Sequence, residues 1–157
     1  MPKTRKYRII KVTPFEDKIM YKMDIPTLEY LNSIYSIFLS NVSSGSGIQP
    51  EEKEFFLKLN DSGEFQISED PTNLIFRIKI SKMNDGGYRF IHELEFKFKN
   101  GKNLTWWFNK KLTNGHYQVK SDLPITFESK EDFNSLDKYS DLLGFDVVIE
   151  DFTELEE

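Results

Sequence analysis

The chain has no cysteine and no alanine among its 157 residues. Without cysteine there can be no disulfide, no thiolate nucleophile and no thiolate zinc or iron–sulfur site. Histidine is almost as scarce. His92 and His116 are too few for an all-histidine metal centre. No apolar run approaches the roughly 18 residues that a membrane-spanning helix needs. The basic N-terminus is followed by no apolar run, so it does not read as a signal peptide. Gly-x-Ser-x-Gly and His-Glu-x-x-His motifs are missing. Ser44-Gly45-Ser46-Gly47 trails a helix pattern and lacks the Lys-Ser/Thr of a phosphate loop. No cofactor and no metal are expected. The lack of alanine, set against much Lys, Asn, Ile and Phe, reads as AT-rich codon usage in a bacterium or phage. A reducing cytoplasm is the expected setting.

What is present is aromatic bulk and sorted charge. Aromatics make up 15% of the chain, with fourteen Phe. One domain of this length buries roughly 68–70% of its unfolded surface, so a core needs no staple. The formal charge of −5 conceals an uneven distribution. Residues 1–11 hold Lys3, Arg5, Lys6, Arg8 and Lys11 with no acid. Residues 96–121 hold Lys97, Lys99, Lys102, Lys110, Lys111 and Lys120, again with no acid. Residues 122–157 hold twelve acids against Lys130 and Lys138. Such sorting bears on partners and fields rather than on fold.

Hydrophobic periodicity predicts an α+β fold. Tyr7 to Val12 and Ile19 to Met23 read as short strands. Leu28, Leu31, Tyr35, Phe38 and Val42 recur at helical spacing, with Ile34 and Leu39 widening the stripe. Asp24 caps that helix and Pro26 suits its first turn. From Phe55 to Phe127 the period becomes two. This predicts a curved antiparallel meander with one apolar and one polar face, of roughly seven to nine strands with the last strand included. Asn60-Asp61-Ser62-Gly63 reads as a hairpin turn rather than a calcium loop. A three-residue turn, Lys99-Asn100-Gly101, pairs Phe96 with Leu104, Leu94 with Trp106 and His92 with Phe108, so apolar faces apolar. Ser129 and Asp132 open a short second helix whose stripe is Phe133, Leu136 and Leu143, and Gly144 closes it. A last strand follows over Asp146 to Glu150. The whole is expected to be a single domain, residues 1–157, with a fraying acidic tail from about 150.

The polar face offers the candidate site. Trp106 and Trp107 are neighbours on one strand and point to opposite faces. Trp107 then shares the polar face with Ile75, Ile91, Arg77, Lys79, Arg89, Lys97 and Lys99. Together with Lys110 and Lys111, this is a surface for a partner anchored on Trp107; burial of Trp107 under another element is the competing explanation. Aromatics interleaved with lysines, with His116 and Tyr117 included, also suit single-stranded nucleic acid, although the pI near 5.2 argues against it. Glu95-Phe96-Lys97 resembles the short carboxylate–lysine element of PD-(D/E)xK nucleases. If Ile80 pairs with Tyr88, Glu95 stands opposite Asn73 and Glu69-Asp70 comes near Lys97. Alternating charge on a solvated strand explains the same residues. His92, on the apolar face, reads as a satisfied core histidine.

These features favour a non-enzymatic protein-binding module, in concrete form an inhibitor or immunity-type antagonist such as serves in antiviral defence. The alternatives are a single-stranded nucleic-acid binder and a metal-dependent nuclease around Glu95 and Lys97. The expected partner is another protein, with nucleic acid second and no membrane.

Overall fold

The computed structural model describes residues 3–14, 19–44, 52–82, 88–108, 118–119, 121–127 and 130–155. In chain order the elements are β1 (Lys3–Pro14), a 3-10 turn (Ile19–Lys22), α1 (Ile25–Ser44), β2 (Glu52–Leu59), β3 (Phe65–Ser68), β4 (Leu74–Lys82), β5 (Tyr88–Lys97), β6 (Asn103–Phe108), β7 (Gln118–Val119), β8 (Ile125–Phe127), α2 (Lys130–Leu143) and β9 (Phe145–Leu155). The expected α+β class holds, but the strands form two antiparallel sheets. One runs β3-β2-β4-β5-β6-β7 and the other β8-β1-β9.

Period-two alternation builds the larger sheet. Phe76, Leu94 and Trp106 stand side by side across three strands, and the next row is Leu74, Phe96 and Leu104. All six are buried. The β5–β6 register is the one that keeps the faces unmixed, with Phe96 opposite Leu104, Leu94 opposite Trp106 and His92 opposite Phe108. The Phe98 amide donates to Lys102 O at 2.8 Å and the Gly101 amide to Phe98 O at 3.1 Å. Gly101 has φ +87°, which a residue without Cβ adopts freely. The β2–β3 turn is also as expected. Asn60 Oδ1 accepts from the Ser62 and Glu64 amides at 2.9 and 3.0 Å.

Helix α1 covers the apolar face with Leu31, Ile34 and Phe38, all buried. Burying side chains of this size contributes about 1.5–3 kcal/mol each. Asp24 Oδ1 accepts from the Thr27 amide at 3.0 Å, the cap expected from the sequence. The same segment protects the sheet edge. Asp24 N donates to Phe65 O at 2.9 Å and Ile67 N donates to Thr27 Oγ1 at 3.2 Å. Tyr35 Oη lies 2.7 Å from His92 Nε2, so His92 is a hydrogen-bonded residue of the apolar face. The smaller sheet closes the rest of the core. Phe127 stacks on Phe98 at 5.8 Å, and Phe145 lies 4.7 Å from Trp106. Tyr139 of α2 lies between Phe65 and Phe96. Gly144, at φ +81°, donates its amide to Ser140 O and ends that helix.

Several expectations are corrected. Ile19–Lys22 is a 3-10 turn, not a strand, because β1 finds its partners in β8 and β9 instead. β8 leaves the meander to pair Ile125 with Ile9 and Phe127 with Tyr7. Residues 150–155 do not fray: β9 runs to Leu155 and pairs with Lys3–Arg8, acidic strand against basic strand. Arg8 forms two hydrogen bonds with Glu150, at 2.8 and 3.1 Å, and lies 4.3 Å over the Phe152 ring. Leu39 is 45% exposed and so stands outside the stripe. Ser129 lies outside the described residues, as do the side chains of Val42, Asp132 and Phe133. No helix among the described residues is long and apolar enough to cross a membrane.

Candidate functional site

Strand register assembles one row of side chains across the polar face of the larger sheet. Glu54 stands opposite Arg77, Arg77 opposite Glu93, and Glu93 opposite Trp107. The neighbouring row is Phe56, Ile75, Glu95 and Thr105. Opposite charges directly across a strand pair attract. Here they close into a network. Arg77 donates from Nε to Glu54 at 2.6 Å, from one Nη to Glu93 Oε2 at 3.1 Å and from the other to Glu95 Oε1 at 3.1 Å. Glu93 Oε1 also accepts from Trp107 Nε1 at 2.6 Å and from Lys79 Nζ at 3.4 Å. Glu93 and Glu95 are only 3% and 8% exposed. Burial pulls the Arg77 pKa down, and hydrogen bonds and charges from Glu54 and Glu95 more than reverse this, so it lies above its ordinary value.

Beside this network lies a pocket of about 640 Å³. One side is the sheet, through Arg77, Glu93, Glu95 and Thr105. The other is the segment that leads into β8, through Ser121, Asp122 and Pro124. Ser121 pins that wall to the edge of β6. Its hydroxyl accepts from the Thr105 amide at 2.8 Å and donates to Asn103 O at 3.1 Å. Lys102 stands at the same pocket and is exposed. The volume falls within the range of ligand pockets, about 300–1,000 Å³.

The residues singled out from sequence are distributed unevenly around this site. Trp107 is partly buried, and its indole N–H is held by Glu93. It is therefore an integral part of the charged row, with Lys79 Nζ 6.0 Å from its ring centre. Ile75 and Ile91, at 1% and 8% exposure, offer no contact surface, which corrects their place in the candidate patch. Arg89 is partly buried, and its Nε and one Nη have no hydrogen-bond partner among the described residues. Lys97 and Lys99 are exposed. Lys110, Lys111, His116 and Tyr117 lie outside the described residues.

The nuclease geometry is not formed. Ile80 pairs with Phe90, two residues beyond the supposed partner, so Glu95 stands opposite Ile75 rather than Asn73. The carboxylate next to Glu95 on this face is Glu93, and Arg77 bonds to both. No group of three potential metal ligands occurs among the described residues. Sequence reasoning missed the linking role of Arg77, the burial of Glu93 and the Ser121–Pro124 wall. Glu54, Arg77 and Glu93 have the right parity, but their alignment needs the register of two strand pairs. No family model, curated relative or solved structure matches the chain.

Proposed function

We propose that the chain is a non-enzymatic protein-binding module that meets its partner with the polar face of its larger sheet. The observation that supports this reading is the buried carboxylate Glu95 held by Arg77 at a pocket large enough for a partner's side chain. Removing a carboxylate from water costs several kcal/mol, and a row of apolar residues would cover a sheet face more cheaply. Holding such charges at fixed positions serves recognition, because complementary charge selects partners and rejects wrong ones. Trp107 adds a ring held in place at the other end of the row. An inhibitor or immunity-type antagonist acting in the cytoplasm is the concrete form of this reading.

Photo-crosslinking tests it. A photoreactive residue replaces Lys97, exposed beside Glu95, or Glu29, exposed on α1, in the cells that make the protein. The expected result is a protein adduct from position 97 that survives nuclease treatment, with none from position 29. Adducts from position 29 alone overturn the choice of face. Nuclease-sensitive adducts from position 97 replace the protein partner with nucleic acid.

A further inference from the structure

We infer that the outer edge of β9 is a further interaction surface, separate from the polar face of the larger sheet, and that it takes up an extended basic segment of a protein partner as an added strand. β9 ends the smaller sheet. It runs for 11 residues, about twice the usual strand length. Its ladder is with β1 alone. Over Asp146–Glu150, the backbone groups that point away from β1 have no hydrogen-bond partner among the described residues. Such a row is a template for another strand. Elsewhere the fold closes its edges. On β3, Phe65 O accepts from the Asp24 amide and the Ile67 amide donates to Thr27 Oγ1. On β6, Ser121 bonds to the Thr105 amide and to Asn103 O. On β8, Thr126 O accepts from Asn100 Nδ2 at 3.2 Å.

The side chains of β9 define the strand that fits. Phe145, Val147 and Ile149 pack against the core, so Asp146, Val148 and Glu150 point to the other face. Ile9 on the central strand is fully buried, and Ile125 and Phe127 on its far side are buried too. Val147 and Ile149 stay partly exposed, so the apolar layer is left open at this edge. The strand is also acidic. It carries Asp146, Glu150, Asp151 and Glu154 and no base. A second β9 laid alongside would set acid against acid, and like charges across a strand pair repel. A strand that alternates basic with apolar residues satisfies both faces. Its cations reach Asp146 and Glu150, and its apolar side chains extend the row of Val147 and Ile149. β1 already has this pattern on the other flank, where Tyr7 and Ile9 alternate with Lys6 and Arg8, and Arg8 bonds to Glu150. In strand addition the main-chain bonds supply affinity and the alternating side chains supply specificity.

The test is NMR of the ¹⁵N-labelled full chain with three capped peptides: alternating Lys and Val, alternating Glu and Val, and the Lys-Val peptide N-methylated at every residue. The expected result is a dissociation constant for the Lys-Val peptide on the order of 1 mM. Alternate amides within Asp146–Glu150 should become slow to exchange with solvent. The Glu-Val and N-methylated peptides should bind at least about tenfold more weakly. Asp146→Lys, at an exposed position, should weaken Lys-Val binding about threefold. Unchanged amide exchange, or equal binding of the N-methylated peptide, overturns strand addition. Equal binding of the Glu-Val peptide overturns the basic partner. Shifts centred on Glu95 and Trp107 move the peptide to the polar face of the larger sheet and overturn the β9 surface. Amides of β9 that become protected with rising protein concentration, without peptide, give the edge to a second copy of the chain and overturn the partner proposed.

Discussion

Replacing Arg77 with methionine removes the cation that hydrogen-bonds three carboxylates and ion-pairs with a fourth, Glu52, at 3.5 Å, while keeping most of the side chain's apolar stem. The losses are unequal. Glu54 is half exposed, and an ion pair of that kind contributes at most about 1 kcal/mol. Glu93 keeps Trp107 and Lys79. Glu95 loses its one hydrogen-bond donor among the described residues while remaining largely out of water. Breaking a buried pair from one side costs about 3–5 kcal/mol. The pocket hydrates Glu95 in part, which places the expected cost at the lower end, about 3 kcal/mol. For a chain of this size each kcal/mol lowers Tm by about 2–4 °C, so the variant should melt roughly 6–12 °C lower. Urea and thermal unfolding at neutral pH measure this. Adding Glu95→Gln to Arg77→Met removes the orphaned charge and should recover about 1 kcal/mol or more, a coupling expected only of directly interacting groups. A loss below about 1 kcal/mol for Arg77→Met, or strictly additive effects in the double variant, would refute the account of the network.

Three further outcomes follow from the same structure. Trp106→Ala should cost about 3–5 kcal/mol as a truncation of a fully buried ring, and Trp107→Ala about 1–3 kcal/mol, chiefly the hydrogen bond to the Glu93 charge; equal losses in thermal unfolding would make Trp107 a core residue. The Arg8 guanidinium, by hydrogen bonding, holds the Glu150 carboxyl below its ordinary value of 4.5, so the pair's contribution to stability is present above that pH and is lost as pH falls through the lowered value. Stability curves of wild type and Arg8→Ala should therefore differ at neutral pH and converge in acid; a gap that widens in acid contradicts the pairing. Gly101→Ala should cost about 1 kcal/mol in urea unfolding from its positive φ alone, since an added Cβ meets nothing within 4 Å.

Local physics made much of this fold legible. The alternation over Leu74–Ile80 and Tyr88–Phe98 identifies two strands and their faces, and requiring Phe96 to face Leu104 selects the three-residue turn at Gly101. Asp24 before the Leu28–Phe38 stripe marks the helix start. Pairings between distant segments were not legible. Arg8 and Glu150 are 142 positions apart, and nothing local to either says that the basic start and acidic end form adjacent strands. The β4–β5 register slipped by two because alternation repeats every two residues, so a shift of two preserves every face and only side-chain pairing distinguishes the choices. That slip moved Glu95 away from Ile75 in the expectation and toward Asn73, and produced the nuclease geometry. Exposure on the polar face was misjudged for a related reason. Ile75 and Ile91 have the parity of surface residues, but they are buried on a face that the Arg77 network and Trp107 fill.

The central claim, that a protein partner meets the polar face of the larger sheet, is tested most directly by photo-crosslinking from position 97 in the cells that make the protein, with position 29 on α1 as the control face. The account predicts a nuclease-resistant protein adduct from position 97 and none from position 29. No protein adduct from position 97, or adducts from position 29 alone, would contradict it.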